Sequence, residues 1–217
     1  MRHFGTSVKR SADQLHLTRE NYIERRKNGS LIFSFLPMDE NEIEKHTKGC
    51  LYNFDLNMRY FESLSRDAFD RWLAGWLSLH NSFFEIDDIR PYKGVQGEYV
   101  MVLDEYKQVY CGCTNNIKRR IETHWNKKMP FDRLVFGSYE YSKLSIDSFR
   151  RLDTTRIFLN VDHSKRKTDS DEMYEMEKEE FARTDDKYLL NRTGFGLRGY
   201  EVSIAPSNRM QGLGHNN

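Results

Sequence analysis

Cysteine is scarce in this sequence. Cys50, Cys111 and Cys113 are the only three among 217 residues, too few for a disulfide framework. A zinc site would need more ligands at finger-like spacing, and the sequence offers none. Cys111 and Cys113 alternate onto one face of an expected strand. The plain reading is small buried thiols in a reducing compartment. Long apolar runs are missing as well. The most hydrophobic stretch, Trp72 to Phe84, is interrupted by Ser78, His80, Asn81 and Ser82. It is too short and too polar to cross a bilayer. No apolar N-terminal run resembles a signal peptide, so a cytoplasmic protein with no membrane partner is expected. Internal repeats and low-complexity segments are absent too. Net charge is only +1, so the charge of the whole chain selects no partner.

What is present is a segregated charge pattern and many aromatics. Charged residues make up 31% and aromatics 13%, which fits a packed globular chain rather than a disordered one. The length suits one ordinary domain with an appendage, or two small ones. A helix is expected within residues 6–28, opened by Ser11 or Asp13 and stopped by Gly29. Arg25, Arg26 and Lys27 would sit at its C-terminal end, where the helix dipole favours cations. LIFSFL, residues 31–36, reads as a core strand, and residues 39–48 as a solvated helix. Phe69, Leu73, Trp76, Leu77 and His80 recur at helical spacing through residues 65–84. That stripe reads as core or as a homodimer interface, with His80 a satisfied core histidine. IDDIRPYKGVQG carries Pro91, Gly94 and Gly97 and reads as a linker. A domain boundary is therefore expected near residue 93, with a largely helical or mixed extension over 1–93 that would serve either DNA contact, through Lys9, Arg10, Arg19, Arg25, Arg26 and Lys27, or dimerisation.

After the linker the pattern changes. EYVMVLDEY and VYCGC alternate and are rich in β-formers, so they read as the two strands of a hairpin. Thr114, Asn115 or Asn116 can cap a helix through IKRRIETHW. RLVFGSYEY reads as a third strand or an extended loop, and TRIFLNV as a strand. An acidic helix should begin near Asp171, followed by YLLNRTGFG. The order β-β-α-β-α predicts an α/β unit of the α+β kind over 94–217, a small mixed sheet flanked by helices.

The chemistry lies in that second part. Tyr99 is on the first strand of the hairpin and Tyr110 on the second. Gly112 lets backbone or ligand approach closely. Arg120 and His124 are four apart and share a helix face. Glu177 follows on the acidic helix, and Asn191 after it. Two phenols, an arginine, a histidine, a carboxylate and an amide form a kit for phosphodiester hydrolysis. The carboxylate would hold a divalent cation, the arginine would steady growing negative charge, and a phenol or imidazole would move the proton of the attacking water. Taken singly, each has an ordinary structural reading: strand aromatics, a solvated basic face, a surface histidine, a turn asparagine.

Together these residues resemble the GIY-YIG nuclease superfamily. Its first motif stands here as Gly97-Glu98-Tyr99, its second as Tyr110-Cys111-Gly112. Arg120 matches the arginine ten residues beyond the second tyrosine. The resemblance covers about residues 94–196. It departs from the family pattern at the central residues, Glu98 and Cys111, which are normally strand-packing positions. The segment around 129–153 reads as an insertion beyond a minimal domain. The resemblance implies a metal-dependent DNA endonuclease, with Tyr99, Tyr110, Arg120, His124, Glu177 and Asn191 catalytic. Tyr110 or His124 would assist deprotonation of water, Tyr99 would orient the water or phosphate, and Asn191 would brace the site. Glu177 would bind Mg²⁺ or Mn²⁺. Its place beside Met176, one turn before Phe181, sets it at the edge of the stripe that docks the helix, with Glu179 and Glu180 as the next choices. The alternative is a GIY-YIG-fold module that binds nucleic acid without cutting it.

Local charge adds a direction of approach. Residues 115–128 hold Lys118, Arg119, Arg120, Lys127 and Lys128 against Glu122 alone. With Trp125 beside them, these cations are candidate contacts to a DNA backbone, with salt-dependent affinity. Residues 169–180 hold seven acidic side chains against Lys178. DNA should therefore approach along the basic helix.

Overall fold

The computed structural model describes residues 1–8, 15–24, 38–135, 139, 142–161 and 185–191. Its centre is a β-hairpin. The strands β4, Gly97–Leu103, and β5, Gln108–Thr114, are buried at every position. Both faces of the sheet are therefore covered, which suits their near-continuous apolar composition. A short 3₁₀ turn over Asp104–Tyr106 and a left-handed Lys107 (φ 50°) reverse the chain. β6, Arg156–Asn160, pairs with the other edge of β4, and β3, Phe84–Ile86, pairs with β6. The strand order is β3-β6-β4-β5, antiparallel at every pairing.

A mixed sheet was the expectation. The described parallel element is instead a single bridge, Val109 to Leu189. Residues 188–191 run along the outer edge of β5, where Val109 N–H donates to Tyr188 O (2.7 Å) and Leu190 N–H donates to Val109 O (2.8 Å). This covers an edge that would otherwise be open to pairing.

Three longer helices surround the sheet. α2, Glu40–Ser63, opens with a reciprocal cap between Asp39 and Glu42. It runs fifteen residues beyond the solvated helix expected over 39–48, because Cys50, Phe54, Tyr60 and Phe61 bury its second half. α3, Arg66–Leu79, is capped by Ser65 and buries Phe69, Leu73 and Trp76 at the expected spacing. His80 differs from its reading as a core residue. It is the half-buried C-cap, stacked on Trp76 with Nδ1 2.7 Å from Trp76 O. α4, Ile117–Asn126, is capped by Asn116 and turns Ile117, Ile121, His124 and Trp125 inward.

The N-terminal expectation fails in part. Arg2–His3 (β1) and Thr6–Ser7 (β2) form a small antiparallel ribbon. The only helix described between 15 and 24 is the single turn Arg19–Tyr22 (α1), closed by a Thr18/Asn21 capping box. Residues 31–36 lie outside the described residues. Nor is residue 93 a seam. β3 belongs to the same sheet as β4, and Tyr22, Phe54, Phe61 and Phe69 share one buried core with Tyr99, Met101, Ile117 and Ile157. The described residues before position 90 contribute to the sheet's own core, where their apolar faces are buried. RLVFGSYEY is not a strand where it is described: Phe131–Arg133 is a 3₁₀ turn. All three cysteines are buried.

Candidate functional site

The site grows out of the hairpin register. Tyr99 lies opposite Gly112, and Met101 opposite Tyr110. Directly opposed residues share a face, so both tyrosines and Gly112 lie on one side of the sheet. Glu98 and Cys111 fall on the other side by alternation. The two departures from the family pattern therefore sit away from the tyrosines. Glu98 accepts a hydrogen bond from Asn160 Nδ2 (2.6 Å) there. Gly112 has a definite reason to be glycine, since a Cβ would overlap the hydroxyl and Cζ of Tyr99. Gly97 is similarly confined, against Asn160 O, Val161 and Ile117.

α4 supplies the next component. His124 is 4% exposed and faces the tyrosines. Its Nε2 is 2.9 Å from the Tyr99 hydroxyl, and the edge of its ring meets Tyr110 at 4.8 Å between centroids. The rings of Tyr99 and Tyr110 are 6.2 Å apart. On the far side of the imidazole, Nδ1 is 2.8 Å from Asp147 Oδ1. Asp147 sits in a 3₁₀ turn, Ile146–Ser148, anchored by buried Leu144, Ile146 and Phe149. Its other oxygen is 3.3 Å from Lys127 Nζ.

Electrostatics follow from this burial. Desolvation lowers the His124 pKa below the ordinary 6.5; Asp147 opposes the shift, while Arg120 and Lys127 add to it. The imidazole is therefore neutral at physiological pH. Burial pushes the Asp147 carboxyl up, but its hydrogen bonds and the nearby Lys127 ammonium outweigh that and hold it below its usual value. Arg120 is exposed on α4, close enough to act on His124 electrostatically. Tyr99 is 1% exposed and Tyr110 8%, so Tyr110 is the phenol nearer solvent.

Asn191 is fixed from the opposite edge. Its Oδ1 accepts from Cys111 N–H (3.1 Å) and its Nδ2 donates to Cys111 O (2.8 Å). The side chain mimics one more residue of an adjoining strand and holds β5 beside Tyr110. Glu177 lies outside the described residues, and among those described no group of three or more His, Cys, Asp or Glu could hold a metal ion.

The basic helix differs from its expected form. Trp125 is a core residue, 5% exposed, donating from Nε1 to Thr154 Oγ1 (3.0 Å) with Arg151 over its ring. It does not border a phosphate track. It follows Ile117 and Ile121 at spacings of four, and belongs to the buried stripe. Lys118 pairs with Glu122 (2.7 Å), Lys127 with Asp147 and Lys128 with Glu24 (3.0 Å). Arg119 and Arg120 are exposed on the first two turns.

No family model, curated protein or solved structure matches the chain. The residues of the site thus stand on their own geometry. Tyr99, Tyr110 and His124 come together, Asn191 supports their strand, and Arg120 lies at the rim. Asp147 is the member that sequence reasoning missed. Its only local signal was Ser145 two residues earlier, which caps the turn that presents it. That pattern marks a turn, not a partner for a histidine on another element.

Proposed function

We propose that the protein is a metal-dependent DNA endonuclease of the GIY-YIG type. The observation that carries this reading is the junction of Tyr99, Tyr110 and His124 on one face of the hairpin, with a 2.9 Å contact between phenol and imidazole. A neutral buried imidazole against a phenol is a proton acceptor ready for use near neutral pH. Water attacks the phosphorus, Tyr110 orients it, and its proton passes to Tyr99 as Tyr99 releases its own to His124. The bond to the leaving oxygen breaks, and that oxygen takes a proton from solvent. Arg120 meets the charge that grows on the non-bridging oxygens. Asn191 keeps β5, and hence Tyr110, in register.

The reading includes Mg²⁺ or Mn²⁺ held by Glu177, which when bound would offset phosphate charge. DNA approaches over α4. Lys118 and Lys128 are partly buried in their ion pairs, and Lys127 extends a more exposed side chain beside the buried Asp147 carboxylate.

The test is cleavage of supercoiled plasmid with Mg²⁺ or Mn²⁺. Wild-type protein should nick or linearise it, and Arg120→Ala and Glu177→Ala should fail. Salt-sensitive DNA binding without cutting would instead favour a binding module built on the same fold. Self-association without DNA affinity would point to an interaction protein, with the homodimer face on α3.

A further inference from the structure

The segment between α4 and β6 looks, in sequence, like an addition to the domain, yet it places a carboxylate against the histidine of the site. We infer that Asp147 is a positioning residue that fixes the tautomer of His124 and so aims Nε2 at the Tyr99 hydroxyl. This rests on the endonuclease reading for its catalytic consequence, but not for its geometry.

The argument is one of donors and acceptors. An ionised carboxylate only accepts. Lys127, 3.3 Å from Oδ2, and the imidazole, 2.8 Å from Oδ1, both face Asp147 as donors. A neutral imidazole has one N–H, so the 2.8 Å contact requires it on Nδ1. Nε2 is then bare, and its 2.9 Å contact is satisfied only if the Tyr99 hydroxyl donates. The proton of Tyr99 is thus committed to His124, and the phenol oxygen keeps its lone pairs for a proton from elsewhere. The groups facing the imidazole are Tyr99 and Tyr110 from the hairpin and Asp147 from its 3₁₀ turn. Among the described residues, the cations Arg120 of α4 and Lys127, its C-cap, also act on it. None of the others can fix the Nδ1 proton.

Lys127 makes the claim sharp. In Asp147→Asn the amide has one acceptor and one donor end. The ammonium will draw the amide oxygen to itself, which leaves the NH₂ facing Nδ1. The imidazole must then carry its proton on Nε2, where it can no longer accept from Tyr99. The substitution conserves shape but reverses the direction of the relay, much as loss of the carboxylate disables a serine-protease histidine.

The experiment has two arms. Two-bond ¹H–¹⁵N correlation spectra of ¹⁵N-labelled protein, recorded above pH 7 with His124 assigned through His124→Gln, report the tautomer directly. Wild type should show Nδ1–H, and Asp147→Asn should show Nε2–H. The wild-type spectrum alone decides the first claim, even if the variant does not fold. An Nε2–H tautomer in wild type, or no change in a folded variant, overturns the inference. In the second arm, plasmid cleavage by Asp147→Asn should fall about 10²-fold or more in kcat with little change in KM. It should fall little further when Asp147→Asn is added to His124→Gln. A full additive loss would show that Asp147 acts only on the fold, and would overturn the positioning role. If wild type cuts nothing, the endonuclease reading fails, while the spectra still decide whether Asp147 sets the tautomer.

Discussion

Gly112→Ala is the most revealing single change in the hairpin. The added methyl would overlap the hydroxyl and Cζ of Tyr99. Tyr99 cannot swing clear, being 1% exposed and tied to His124 at 2.9 Å. Overpacking of this kind costs about 1–3 kcal/mol. Breaking the phenol–imidazole hydrogen bond adds about 1 kcal/mol. Against this, alanine restricts the unfolded chain and returns about 0.4–1 kcal/mol. The net loss is about 1–3.6 kcal/mol, or roughly 2–14 °C in Tm for a chain of this size. Urea denaturation of the two proteins side by side measures it. Gly75→Ala is the contrast: Gly75 lies within α3 with nothing near its Cβ, so alanine should stabilise by about 0.5–1 kcal/mol. Tyr99→Phe removes the atom the new methyl strikes first, so the cost of Gly112→Ala should shrink in that background. A Gly112→Ala protein as stable as wild type, or more so, would refute the close packing of Tyr99 on β5.

Other outcomes follow from the same geometry. Asn191→Ala strips two hydrogen bonds from the backbone of Cys111 and should cost about 2–4 kcal/mol by denaturation, since both partners are buried. Desolvation keeps His124 uncharged below its ordinary 6.5, so the folded protein binds fewer protons there than the unfolded chain. The stability it contributes is full above that pH and is lost as the pH falls, and His124→Gln should flatten the slope of stability between pH 7 and 5. Lys127→Met removes a cation that disfavours the imidazolium, so the His124 pKa should rise in an NMR titration. Arg119→Ala should weaken DNA binding across sequences and lower the slope of log K against log salt by about one phosphate contact, read by titration at several salt concentrations.

The hairpin and its tyrosines were legible because strand alternation is local. Once EYVMVL and VYCGC are paired by a tight turn, the face shared by Tyr99, Tyr110 and Gly112 follows. α3 and α4 were legible through their caps and the spacing of their apolar residues. Trp125 was misread although its signal was present. Ile117, Ile121 and Trp125 mark one buried stripe, and the neighbouring cations drew the ring into a surface it does not join. The length of α2 was hidden because Lys48 and Gly49 look like a stop, while burial of the turns that follow carries the helix through. Asp147 and the N-terminal residues were not legible at all. His124 and Asp147 meet only through tertiary packing. Residues 15–17 are likewise held by distant contacts: Leu17 N–H and His16 Nδ1 both lie within hydrogen-bonding distance of buried Asp153. The seam expected at residue 93 failed for the same reason, since Pro91 and Gly94 mark a turn and do not show whether the chain returns to the same core.

The central claim is that a phenol and a neutral imidazole, joined on one face of this hairpin, drive hydrolysis of a phosphodiester. The rate of supercoiled-plasmid cleavage in Mg²⁺ by wild type and by Tyr99→Phe, matched for folding by circular dichroism, tests it most directly. Wild type should cut, and Tyr99→Phe should be slower by about 10²–10⁴-fold. Equal rates for the two proteins, or intact plasmid with wild type in both Mg²⁺ and Mn²⁺, would contradict it.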